Sequence, residues 1–161
     1  QGSYALELSG SGGKEEIQST SGLNAYPSLG GTFEAYHYTS RSGGSGVGRI
    51  GFGTQSETLE ADGYYVELHK RTGEFTLAKI QGGSFTDLDT VAYSYDDQSW
   101  YRVETDWQDP ITSTLYDDTD TQVARVSASD TTYTSGGISW FLWDAGVPTN
   151  PTVRYDDYEL L

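Results

Sequence analysis

The sequence predicts an all-β fold, a sandwich or barrel of short strands, and three observations carry that prediction. No stretch of eleven residues places apolar side chains at the i, i+3, i+4, i+7 spacing of an amphipathic helix. Thr, Tyr, Val and Trp instead alternate with polar residues in short runs. Gly, Ser and Asp clusters separate those runs at the spacing of a sandwich or barrel. The extended runs are Tyr4–Leu8, Gly31–Thr39, Gly48–Thr54, Tyr64–Lys70, Phe75–Ile80, Thr90–Tyr95, Trp100–Trp107, Ile111–Tyr116, Gln122–Ser127, Ile138–Trp143 and Val153–Leu160.

Arg71-Thr72-Gly73-Glu74 and Asp117-Asp118-Thr119-Asp120 have the composition of tight connections, because Gly and Asp tolerate positive φ. The Gly-rich stretches Gly10–Gly13 and Ser40–Gly48 predict loops. No fixed-period repeat points to a solenoid or propeller. A length of 161 residues predicts one domain spanning 1–161, and Gln1 in place of an initiator Met predicts a processed or excised piece of a longer chain.

Leu, Ile, Val and Phe make up less than a fifth of the chain, a share that on its own borders on disorder. The 13 Tyr, 5 Phe and 4 Trp reverse that expectation, since each ring can bury roughly 150–250 Å². The formal net charge is −15 with a pI near 4.2. No Lys/Arg cluster interrupts it, so nucleic-acid binding and anionic membrane surfaces are disfavoured as partners. No apolar run reaches the roughly 18 residues of a helical bilayer crossing. Cysteine is absent, which removes disulfides, thiolate nucleophiles and Cys-based zinc sites. The few basic residues are mostly arginine and the acids mostly Asp, a bias that fits a high-salt environment, where a Debye length of about 3 Å screens like-charge repulsion.

Period-two alternation assigns faces. It turns Tyr64, Val66 and Leu68 inward and Tyr65, Glu67 and His69 outward. It buries Phe33, Ala35 and His37 and exposes Glu34, Tyr36 and Tyr38. It buries Tyr101, Val103, Thr105 and Trp107 and exposes Arg102, Glu104 and Asp106. Tyr36, Tyr38 and Tyr65, joined by Trp143 at a strand end, are therefore candidate stacking platforms; Glu34, Glu67, His69 and Arg102 are candidate partners for ligand hydroxyls. Trp100 and Trp140 belong instead to the packed layer.

The segments Gly63–Leu68, Phe75–Lys79, Trp100–Glu104, Ile111–Asp117, Gly136-Gly137-Ile138 and Val153–Tyr158 together resemble the laminin-G-like, concanavalin A-like β-sandwich over roughly Gly31 to Leu161. The order of the segments carries the likeness, which extends to domains appended to secreted proteins of salt-loving archaea. The resemblance implies a jelly-roll sandwich acting as a non-catalytic, extracellular or cell-surface module for a glycan or surface polymer. It also implies a structural Ca²⁺ held by Glu7, Asp156 and Asp157. Asp117, Asp118 and Asp120 lack the spacing of an EF-hand loop.

Enzymatic relatives of that fold would carry Glu-x-Asp-x-x-Glu on one strand, which is missing here. Glu104 and Asp106, about 7 Å apart by strand rise, are the nearest acid pair. The competing expectation is a self-assembling or structural domain of an archaeal surface, filament or virion, whose tyrosines pack against neighbours.

Overall fold

The computed structural model describes residues 6–9, 13–21, 26–39, 47–143 and 152–161. Twelve strands follow one another: β1 (Leu6–Ser9), β2 (Lys14–Ser19), β3 (Gly31–Thr39), β4 (Val47–Thr54), β5 (Gly63–His69), β6 (Glu74–Gln81), β7 (Ser84–Ala92), β8 (Trp100–Trp107), β9 (Ile111–Tyr116), β10 (Gln122–Ala128), β11 (Gly137–Trp143) and β12 (Thr152–Leu160). Among the described residues there is no helix. The first sheet has the order β1-β12-β3-β8-β9-β10 and the second β2-β11-β4-β5-β6-β7; every pairing is antiparallel. This is the all-β architecture that the alternation predicted, in the two-sheet jelly-roll form that the resemblance implied. Residues 10–12 and 40–46, where the sequence predicts loops, lie outside the described residues, as do Tyr4 and residues 144–151.

Two strands depart from the sequence expectation. β2 has a single strongly apolar residue, Ile17, and its apolar content is low because it is a sheet edge that pairs only with β11. β7 begins at Ser84 and ends at Ala92, earlier than the expected Thr90–Tyr95 run. Gly82 and Gly83, with φ of 59° and 74°, turn β6 into β7 as a two-residue hairpin of the primed type, in which only glycine is unstrained at both positions. An extra residue at Leu88 then shifts the register, pairing Ala78 with Asp87 and Leu77 with Asp89. Asp89 Oδ2 accepts the Ser127 amide of β10 at 2.7 Å, which ties this edge to the other sheet.

The space between the sheets is filled by rings. Phe52 lies 5.2 Å from Phe33, 5.3 Å from Tyr64 and 5.2 Å from Trp107, and Trp107 meets Tyr64 edge-on at 5.9 Å. These edge and tilted contacts suit the ring quadrupoles. Gly53, at φ +61°, lies against the indole: a Cβ there would come within 2.7 Å of Trp107 Cη2, so both its conformation and its missing side chain are used. The inward sets Phe33/Ala35/His37 and Tyr101/Val103/Thr105/Trp107 are all buried, as alternation required. Where the core opens toward the sandwich edge, Tyr64 donates to Asp130 Oδ1 at 2.6 Å and Lys79 pairs with the same carboxylate.

His37 places an imidazole inside this layer. It is 1% exposed, sits edge-on to Tyr155 at 5.1 Å, and its Nδ1 has no hydrogen-bond partner. Burial, with the Lys70 charge adding to it, holds its pKa down to about 3.

Two outcomes follow from this packing. Trp107→Ala should lower stability by roughly 3–5 kcal/mol in urea unfolding, because the ring's neighbours cannot collapse into its place; a loss under 1 kcal/mol would contradict the packing. Above pH 6.5 both folded and unfolded His37 are neutral. Below it the unfolded state alone binds the proton, so stability falls with falling pH by up to about 1.4 kcal/mol per unit. Burial lowers His69 as well, which adds a smaller slope of the same sign. Unfolding measured from pH 6.5 to about 5.5 should show this decline, largely removed in His37→Leu; an unchanged slope in that variant would contradict it.

Candidate functional site

Alternation decides which side of a strand a residue occupies, and sheet order decides which side of the molecule that is. β3 and β8 lie in the first sheet and β5 in the second. The outward residues of these strands, expected to form one surface, therefore occupy opposite faces of the sandwich. Glu34, Tyr36, Tyr38 and Arg102 share one face; Tyr65, Glu67 and His69 belong to the other, together with Trp143. The single ligand surface expected from sequence is thus corrected to two.

On the face of the first sheet, Arg102 is committed to the protein itself. Its guanidinium donates to Asp120 Oδ1 at 2.6 and 3.1 Å, to Glu104 at 3.0 Å and to Glu34 at 3.2 Å, and lies 3.9 Å above the Tyr116 ring. Despite some desolvation, bonds to Asp120 and Glu104 raise its pKa. Tyr38 is stacked between Trp100 at 5.2 Å and Arg154 at 5.1 Å. A hollow of about 280 Å³ lies beside them, with Tyr36 and Arg102 in its wall. The candidate acid pair is occupied too, since Asp106 accepts from Gln108 and Thr32 while Glu104 holds Arg102. Glu7 accepts Arg154 Nε at 2.8 Å from the adjacent strand β12. Asp156 also lies on β12, and the Asp157 side chain lies outside the described residues.

On the second sheet the outward residues fall into rows set by the register. One row runs Trp143, Val47, His69, Glu74; the next runs Phe141, Arg49, Glu67, Thr76, Thr90. The third runs Ser139, Gly51, Tyr65, Ala78, Asp87. The loop 55–62 folds over part of this third row. Gln18 of β2 donates to Thr58 O at 2.6 Å, Glu16 accepts the Glu60 amide at 2.7 Å, and the Tyr65 hydroxyl donates to Ala61 O at 2.6 Å. Tyr65 is therefore outward by alternation yet fully buried, which corrects its expected role as an exposed platform.

The uncovered rows enclose a groove of about 500 Å³ with Arg49 and Glu67 in its floor, His69, Glu74 and Asp87 around it, and Phe85 and Trp143 among its lining side chains. Glu67, expected to be exposed, is only 7% so; it is sunk beneath its neighbours and paired with Arg49 Nε. Arg49 is itself 6% exposed, lies between the rings of Phe141 at 4.5 Å and Phe85 at 4.9 Å, and donates from Nη1 to Glu60 at 2.9 Å. A buried charge of this kind is tolerable only because carboxylates and ring faces surround it.

Burial raises the Glu67 pKa against the pull of Arg49. For Glu60, desolvation is outweighed by its bonds to Lys14 and Arg49, and the pKa falls. Burial lowers His69, whose Nδ1 shares a hydrogen bond with Thr72 at 2.8 Å, so the imidazole is neutral at pH 7. Phe85 is 41% exposed and Trp143 partly so, with Lys14 Nζ 5.8 Å from the indole centroid. The groove thus offers ring faces, hydroxyls of Thr76 and Thr90, a neutral imidazole and carboxylate acceptors, a set able to bind a ligand with both apolar and hydroxylated sides.

Of the residues named from sequence, Glu67, His69 and Trp143 meet in this groove. Sequence reasoning missed Arg49 and Phe85. An arginine between the apolar residues Val47 and Ile50 in a short strand was the available signal for the first; the Gly82-Gly83 hairpin, which places β7 at the edge of the groove, was the signal for the second.

No protein-family model and no curated protein matches the chain by sequence. Solved structures do match it in shape. The carbohydrate-binding module CBM66 from Bacillus subtilis superposes with a TM-score of 0.71 at 19% identity, covering 93% of this chain and 83% of that one. The Caenorhabditis elegans galectin LEC-6 gives 0.57 at 13% identity, covering 96% and 95%. A Bacillus licheniformis β-glucanase gives 0.55 at 16% identity, covering 91% and 77%. With two antiparallel sheets and these neighbours, the chain has the concanavalin A-like lectin/glucanase jelly-roll fold.

Proposed function

We propose that this chain is a non-catalytic glycan-binding module of an extracellular or cell-surface protein, and that it holds its ligand in the groove on the second sheet. The observation that carries the reading is the arrangement of that groove. Its floor is a fixed Arg49–Glu67 pair, and two aromatic rings, the exposed Phe85 and the partly exposed Trp143, border an otherwise polar surface. A pyranose or furanose ring has an apolar face for such rings and hydroxyls for such acceptors. Open grooves of this kind keep much of the ligand hydrated, and modest affinity is the consequence. The fold neighbours that are themselves described as a carbohydrate-binding module and as galectins support the reading. A β-glucanase among them keeps hydrolysis in view, against which stands the engagement of Glu104 and Asp106 in structural hydrogen bonds.

Glycan-array binding followed by calorimetry tests the assignment. Trp143→Ala and Phe85→Ala should each weaken binding about tenfold, or about 1.4 kcal/mol, while Tyr38→Ala on the opposite face leaves it within twofold. Loss of binding in Tyr38→Ala with the groove variants unaffected would move the site to the other sheet. Retention of no sugar, with the chain forming filaments or oligomers, would support the structural-brick reading instead.

The acidic surface belongs to the same proposal, as an adaptation to concentrated salt. Melting followed by circular dichroism should show the midpoint rising by several degrees between about 0.1 M and about 2 M NaCl, as repulsion within a chain of charge −15 is screened. A midpoint that does not move would remove the high-salt interpretation and leave the groove assignment untouched.

A further inference from the structure

The charge inside the groove narrows what kind of glycan it can hold. Three carboxylates line it, from Glu67, Glu74 and Asp87, against the single cation of Arg49. Arg49 is already shared between Glu67 and Glu60, so it has little attraction left for an incoming anion. Lys14, toward the Trp143 end, is likewise paired with Glu60. Burial favours the uncharged form of His69, whose Nδ1 lies 3.7 Å from Glu74. Asp87 is exposed and forms no salt bridge to a described residue. At the floor, Glu67 Oε1 takes the bond from Arg49, whereas no described protein donor reaches Oε2 and that atom is not among those sealed from solvent. The groove therefore presents acceptors in excess of donors and negative charge in excess of positive, in a site whose walls are aromatic.

We infer that the groove selects glycans without acidic groups and binds amine-bearing units, such as glucosamine, more tightly than their N-acetylated counterparts. The inference rests on the glycan-binding reading and adds the substrate class to it. A uronate or sulfate would bring a second anion beside Asp87 and Glu74 with no free cation to receive it. An ammonium group meets two carboxylates at the rim and an open carboxylate oxygen at the floor, and each such pair in a partly wet site adds a modest increment.

The probes are a glucosamine hexamer, its fully N-acetylated counterpart and an oligogalacturonate of equal length, titrated near pH 6 so that the amines are protonated. At about 20 mM salt the glucosamine hexamer should bind about fivefold tighter than the acetylated one, and the galacturonate should not bind. In 1 M NaCl the two hexamers should converge to within twofold. The double variant Asp87→Asn/Glu74→Gln should lose the amine preference, read as the ratio of the two hexamers' affinities falling to within twofold. That variant removes two charges from a net of −15, so its effect separates the groove from the general acidity of the surface. Equal binding of the two hexamers, an amine preference that survives in the double variant, or galacturonate binding as strong as either hexamer would each overturn the inference while leaving glycan binding intact. Failure of all three to bind, with no other sugar retained on an array, would overturn both.

Discussion

A guanidinium placed in the middle of a sheet face sets what this face can do. Arg49 stands on β4, in the interior of the second sheet, where water is largely displaced by Phe141, Phe85 and the strands on either side. Such a cation must be satisfied locally or the strand would not stay in register. The sequence satisfies it from three directions: Glu67 on the neighbouring strand, Glu60 on the loop folded over the sheet, and two ring faces above and below. Each partner is thereby fixed in its turn. Glu67 is held at the floor of the groove, Phe85 is held at its side, and the loop 55–62 is drawn down over Tyr65, leaving one part of the face closed and the other open.

The other face shows what a similar charge does under different surroundings. Arg102 is also stacked on a ring and also ringed by carboxylates, and its donors go to Asp120, Glu104 and Glu34. It behaves as a clip across β3, β8 and the turn at Asp120, whose positive φ of 61° lets that carboxylate reach back. The two clusters differ in where they lie: Arg49 and Glu67 line a groove of about 500 Å³, whereas Arg102 lies in the wall of a hollow of about 280 Å³.

Much of the architecture was legible because strand alternation and glycine placement are local. The inward aromatic set, the hairpin at Gly73 and the Asp117–Asp120 turn all follow from period two and from φ preferences. What local reading could not supply was the assignment of strands to sheets. Tyr36 and Tyr65 have the same outward orientation on their strands, yet they lie on opposite faces, because β3 pairs with β8 and β12 while β5 pairs with β4 and β6. Nor could alternation foresee that an outward tyrosine would be covered by a loop anchored forty or more residues away, at Glu16 and Gln18. β2 itself was illegible, since an edge strand with one face against a loop needs little apolar content. Trp143, taken from sequence as a strand-end ring, and His69 and Glu67, taken as outward groups, line one groove with Arg49 and Phe85, which belong to strands whose faces had not been assigned.

The central claim is that ligand recognition belongs to the second sheet and is organised around Arg49. The most direct measurement is an amide and indole chemical-shift map of the ¹⁵N-labelled chain titrated with a glycan it binds. The account predicts shifts concentrated at the Trp143 indole and at residues 47–49, 67–69, 74–76 and 85–90, with Tyr36, Tyr38 and Arg102 unmoved. Shifts centred on Tyr36, Trp100 and the Asp117–Asp120 turn, with the Trp143 indole unchanged, would contradict it.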